Sequence, residues 1–209
     1  MASTIIHLAV AKQIKEKSNI EIEDIKDYYL GSIAPDVAKQ VGTSRDESHF
    51  IFNTREDIPN LALFIKRYPE FKYNSFDLGY FTHLYVDKVW TEEVYNNIVS
   101  NSSIKLLDGT IINTTNEEMQ NMIYSDYTNL NIKIIDEYNM DLSLFYEDFK
   151  IPDTTIKEIP IEQLDILINK MSIIIENTKE EKAYTFDISL IKEFIDKISD
   201  EIIEELKKY

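Results

Sequence analysis

The chain has 209 residues, with 22 lysines and arginines against 38 aspartates and glutamates, a formal charge of -16. That length suits one domain burying roughly 70% of its unfolded surface. With no cysteine, disulfides, thiolate nucleophiles and thiolate-held zinc or iron–sulfur centres are excluded, so any metal must be held by nitrogen and oxygen; the acidic balance disfavours nucleic acid as a partner.

Helical periodicity dominates from the first residues. Ser3 or Thr4 caps a predicted helix to about Lys17, with Ile6, Val10 and Ile14 on one stripe. A second helix is expected over Glu21–Leu30, closed by Gly31 as a left-handed cap. A loop with Ser32-Ile33-Ala34-Pro35-Asp36 follows, and irregular sequence continues through Ser48-His49-Phe50. Asp57 and Pro59 open a helix to Tyr68, and Pro69 closes it. Ser75 caps a helix that runs through Trp90 to about Val99.

Asp108-Gly109 between two apolar runs predicts a short β-hairpin near 104–113. Thr114 or Thr115 starts a long helix to Tyr138, and a short one is expected over Leu142–Phe149. Pro152 and Pro160 bracket a polar connector, read as a loop within one domain. Helices over Pro160–Asn177 and Asp187–Lys208 finish the chain, the last with a core stripe from Ile191 to Leu206. The expected fold is all-α with one hairpin, a single domain over residues 1–209. No apolar run reaches the ~20 residues of a membrane span. Residues 1–30 carry no secretory pattern, so a cytoplasmic location is expected.

The sharpest chemical signal is His83 and Asp87, four apart on one helix, where both side chains share a face and can reach one ion. Phe76, Tyr80, His83, Asp87, Trp90 and Val94 form one stripe, so the two polar residues interrupt the core-facing side. A buried carboxylate needs a partner, and a metal is an effective one. Taken alone, His-xxx-Asp reads first as a buried hydrogen-bonded pair that fixes core packing, by ~2:1. Only two other histidines exist. His7 lies on the apolar stripe of the first helix, where a lone histidine reads first as a core residue. His49 sits between Asp46-Glu47 and an apolar run. Asp36 follows Pro35 in a rigid turn and reads alone as a capping residue. Together, Asp36, His49, His83 and Asp87 make a two-histidine, two-carboxylate set suited to Zn²⁺, Fe²⁺ or Mn²⁺.

These residues resemble the bacterial zinc-dependent phospholipases C, whose helical fold is shared with fungal single-strand nucleases. The resemblance is carried by Thr4-Ile5-Ile6-His7-Leu8, Leu30-Gly31-Ser32-Ile33-Ala34-Pro35-Asp36, Ser48-His49-Phe50 and the run Gly79 to Trp90 around His83 and Asp87. It covers about the first 100 residues. It implies that Asp36, His49, His83 and Asp87 hold one metal, with Asp87 in the bridging place. It further implies that His7 binds a neighbouring metal, which the family also ties to its mature N-terminal amino group. No histidine follows His83, and a chain beginning Met1-Ala2-Ser3 lacks the family's N-terminal tryptophan. One zinc site of the family's trinuclear cluster is therefore expected to be lost and a second incomplete, leaving one strong site and a weaker second. Asp126, near the stripe Ile123, Tyr127, Leu130 and Ile134, is a candidate replacement ligand, weighed against a surface or capping role.

The predicted activity is metal-dependent hydrolysis of a small or zwitterionic phosphoester by metal-activated water, with Asp36 and Asp87 catalytic. Arg45, four residues before His49, is a candidate phosphate holder, weighed against a surface arginine. The alternative is a non-catalytic metal-binding helical protein with a degenerate site. A helical phosphohydrolase of the His-Asp dyad type ranks last, because no His-Asp pair is adjacent in the chain.

Overall fold

A computed structural model describes residues 1–52, 58–176 and 183–209. The fold is all-α with one small antiparallel sheet. The helices are α1 (Thr4–Lys17), α2 (Ile25–Gly31), α3 (Val37–Val41), α4 (Arg45–Ser48), α5 (Leu61–Arg67), α6 (Ser75–Val89) and the short α7 (Asn96–Ile98). After the sheet come α8 (Asn116–Glu137), α9 (Asp165–Glu176) and α10 (Ile188–Leu206). Their starts follow side-chain caps. Ser3 accepts from the Ile6 amide, Asp187 from that of Leu190, and Thr115 with Glu118 forms a reciprocal capping box.

Several boundaries differ from the sequence expectation for local reasons. α2 begins at Ile25 because Asp24 caps it, its side chain accepting from the amides of Lys26 and Asp27. The stretch after Ser32 is ordered as a 3₁₀ turn (Ala34–Asp36) and the short helices α3 and α4. α5 starts after Asn60, whose side chain accepts from the Leu63 amide; Asp57, the expected start, lies outside the described residues. The cap of α6 is Asn74, not Ser75. Past Val89 the helix continues as a π-helical segment, Trp90–Tyr95. The hairpin forms between β2 (Ser103–Lys105) and β3 (Ile111–Asn113), and β1 (Val99–Ser100) adds a third antiparallel strand. The expected helix near 142–149 is a 3₁₀ turn, Ser143–Tyr146, and Asn177 lies outside the described residues.

α1 and α6 are the central helices. In α1 every residue from Ile5 to Ala11 is buried, and in α6 nearly every one from Phe76 to Val89. A helix apolar on all sides belongs inside a larger assembly of helices, so the single stripe expected for α6 understates its burial. α1 packs against α10, α6 and α8. The apolar core is one continuous cluster from Ala2 to Leu206. The connector after Pro152 is docked on α6 by Thr154 and Thr155, whose hydroxyls donate to the buried Asp77 carboxylate.

Two glycines set the crossing of α2 and α6. A Cβ at Gly79 would lie 2.1 Å from the Tyr28 carbonyl oxygen, and one at Gly31 would lie 2.1 Å from that of Phe76. Gly31 is therefore a helical contact residue; its φ is not positive, and the expected left-handed cap is absent.

Candidate metal centre

Because α1 and α6 are neighbours, His7 and His83 stack face to face, ring centres 3.8 Å apart and planes 7° from parallel. Asp87 lies one turn beyond His83 on α6, also buried. Asp36 ends the 3₁₀ turn that Pro35 opens. His49 is the C-terminal cap of α4, and the chain leaves it through Phe50 at φ 54°. The Phe50 amide donates to the Glu47 carbonyl and the Ile51 amide to that of Asp46, the bond pattern of a Schellman motif. A phenylalanine tolerates that left-handed position because its ring is buried against Phe64, Tyr68 and Tyr80.

The donor atoms converge. His49 Nε2 and His83 Nε2 are 3.3 Å apart, and Asp87 Oδ2 lies 3.6 Å and 3.5 Å from them. Asp36 Oδ1 is 3.6 Å from His49 Nε2. Asp87 Oδ1 faces the other way, 3.3 Å from His7 Nε2, and accepts from the Ala2 amide at 2.9 Å. Among the described residues, two overlapping groups could each hold an ion: His7, His83 and Asp87, and Asp36, His49 and His83.

The outer hydrogen bonds orient the rings. His83 Nδ1 lies 2.9 Å from the Ser32 carbonyl, which only accepts, so in the neutral ring Nδ1 carries the proton and Nε2 presents a lone pair to the interior. His49 Nδ1 lies 2.9 Å from the Ser48 hydroxyl and 3.2 Å from the Arg45 carbonyl, which turn its Nε2 inward as well. Two imidazole nitrogens and two carboxylate oxygens thus crowd one another. Buried His7 Nδ1, His7 Nε2 and Asp87 Oδ2 also lack hydrogen-bond partners among the described residues. Such an arrangement is electrostatically costly until a cation enters. The spacing suits zinc: tetrahedral ligands at ~2.0–2.1 Å from the ion lie about 3.3–3.4 Å apart.

The protonation equilibria follow from the same packing. Burial pushes the His7 imidazole down, and His83 adds to the effect beyond what Asp87 restores. For His83 burial acts downward too, yet the Asp87 carboxylate beside it outweighs this and raises the ring. Burial would raise both carboxyls, but His7 and His83 hold Asp87 well below the ordinary carboxylate range, and His49 with His83 lowers Asp36.

One edge of the centre meets solvent. His7, His49, His83 and Asp87 are closed off, whereas the Asp36 side chain is 16% exposed and lines a cleft of about 510 Å³ together with residues of the N-terminus, α3, α8 and α9. Asp126 is committed elsewhere. Its carboxylate accepts from the amides of Tyr184, Thr185 and Phe186 and from the Thr185 hydroxyl, so it anchors the entry to α10 and joins neither donor group. Arg45 contributes its backbone carbonyl to His49, while its Nε donates to Met1 Sδ at 3.3 Å, and the side chain does not line the cleft. The Ser32 carbonyl and the Ala2 amide were not legible as site groups, since backbone atoms leave no side-chain signature. Lys39, Lys170 and Asn131 on the cleft wall lie far apart in the chain and form no motif.

A family model described as zinc-dependent phospholipase C matches residues 4–146. Comparisons with curated proteins and with solved structures find no match. The family match spans more than half of the chain, including all five converging side chains, and the chain belongs to the zinc-dependent phospholipase C family.

Proposed function

We propose that the chain is a zinc-dependent hydrolase of phosphoesters, with zinc held by Asp36, His49, His83 and Asp87 and a weaker second site at His7 and Asp87. The observation that carries the reading is the solvent-facing edge at Asp36, the side from which water and substrate would reach the ion as a further ligand; a structural centre is closed on all sides by protein. When bound, zinc supplies Lewis acidity that acidifies a water and neutralises charge developing on the phosphoryl oxygens. The chain's own groups do the rest. The Ser32 carbonyl orients the His83 imidazole at Nδ1, and the Ser48 hydroxyl with the Arg45 carbonyl orients that of His49. Asp87 balances charge between the two donor sets. Asp36, at the cleft wall, accepts the proton of the attacking water. Hydrolysis forms one P–O bond from water and breaks that to the leaving alcohol, whose oxygen ends with a proton.

The near-complete burial of four of the five side chains favours one second reading, a structural ion without turnover. A panel of phosphodiesters and phosphomonoesters, assayed with Zn²⁺, Mn²⁺ and Fe²⁺ beside His83→Ala, separates the two. Turnover that needs the metal and falls by roughly 10²-fold or more in the variant supports hydrolysis. Metal bound at full occupancy with no turnover above that of the variant supports the structural ion.

A further inference from the structure

From the cleft beside Asp36 we infer that the substrate's headgroup is anionic and hydroxylated, a polyol phosphoester, and that Lys39 and Lys170 read its charge. The inference rests on the hydrolase reading for its chemistry but not for its binding. Among the described residues, two lysines and a single carboxylate, Asp36, line the cleft, in a chain whose acidic residues outnumber its basic ones by 38 to 22. The local sign is thus opposite to that of the molecule. Both ammonium groups are exposed, and among the described residues neither has a carboxylate partner; Lys39 Nζ donates to the Tyr124 hydroxyl at 2.8 Å and Lys170 Nζ to the Gln40 side-chain carbonyl. Both therefore offer further donors to an incoming anion.

The two lysines argue against a quaternary ammonium group. A choline headgroup would meet two like charges, the Lys39 ammonium being held at the hydroxyl edge of Tyr124 and that of Lys170 at Gln40. A separate observation points to hydroxyls. Asn131 lines the cleft, is 4% exposed, and its Oδ1 lacks a hydrogen-bond partner among the described residues. A buried acceptor without a donor is costly; a polyol supplies that donor and a trimethylammonium group cannot.

The test is calorimetric titration of the zinc-loaded protein with glycerol 3-phosphate and with phosphocholine, repeated on Lys39→Gln/Lys170→Gln. Glycerol 3-phosphate should bind at least tenfold more tightly, and the double variant should lose that preference while keeping its zinc content and melting temperature. Equal affinities, a preference for phosphocholine, no binding of either, or a preference that survives in the variant would each overturn the inference. Sedimentation with phosphatidylglycerol or phosphatidylcholine vesicles separates the two sources of the headgroup. Retention on phosphatidylglycerol alone assigns a lipid, and retention on neither, with glycerol 3-phosphate bound, assigns a soluble ester. Selective binding with no hydrolysis of any ester would sink the hydrolase reading and leave the headgroup inference standing.

Discussion

Asp87 faces two ways within the cluster, Oδ2 toward His49 and His83 and Oδ1 toward His7 and the Ala2 amide. Its shape could be kept and its charge removed by Asp87→Asn. The amide would present an N–H₂ to one donor set or the other, turning an acceptor into a donor. We expect zinc affinity to fall by roughly 100-fold or more, beyond the 10–100-fold typical of losing an outer partner of a ligand, as measured by competition with a chromophoric chelator; retained affinity would remove Asp87 from the centre. The pairing of His83 and Asp87 was legible in the chain because i, i+4 spacing on a core-facing stripe puts two polar groups where they need a partner. Asp126 shows the limit of that logic. It too faces the core of its helix, and its partners are three amides some 60 residues away. A helical pattern says that a carboxylate is buried; it does not say whether an ion or a backbone satisfies it.

The crossing of α2 and α6 connects packing to the centre at the scale of elements. Tyr28 and Gly31 of α2 touch Gly79 and Phe76 of α6, and the chain leaving α2 delivers the Ser32 carbonyl to His83 Nδ1. Gly79→Ala would force a Cβ onto backbone atoms that cannot rotate away, so the helices must separate. The expected cost is about 1–3 kcal/mol, the usual range for overpacking. Zinc affinity should also fall by about tenfold, because a displaced Ser32 carbonyl no longer orients His83. Gly42→Ala is the control: at φ +73° with open space around it, it should cost about 1 kcal/mol in backbone strain and leave zinc affinity unchanged. Denaturant unfolding with parallel zinc titrations decides the matter, and equal zinc affinities in both variants would uncouple the crossing from the centre. The long helices were readable from their stripes and caps. The turn and short helices between Ala34 and Ser48 were not, since elements of three to five residues leave no period to detect and are held by tertiary contacts. Gly31 was misread for a related reason: a glycine at a helix end signals either a left-handed cap or a close neighbour, and only the neighbour distinguishes them.

At the scale of the whole molecule, the centre brings together segments far apart in the chain. His7 comes from α1, Asp36 and His49 from the short elements after α2, and His83 with Asp87 from α6, so an ion bound there would tie three stretches of the chain at one point. The Nε2 atoms of His49 and His83 and the oxygens of the two carboxylates crowd one another in the folded state only. Zinc should therefore stabilise by mass action. At free zinc a thousandfold above its dissociation constant the gain is roughly 4 kcal/mol, which for a chain of this length corresponds to about 8–16 °C in melting temperature. Scanning calorimetry of the zinc-loaded protein before and after chelation should show that downward shift. The continuous core from Ala2 to Leu206 argues that each sample unfolds in one transition, as a single domain. Two separated transitions, with only one responding to chelation, would divide the chain into a metal-bearing N-terminal unit and an independent C-terminal one. An unmoved melting temperature would mean that the folded state gains nothing from the ion, and the crowding of nitrogens and carboxylate oxygens would then have to be relieved by protons.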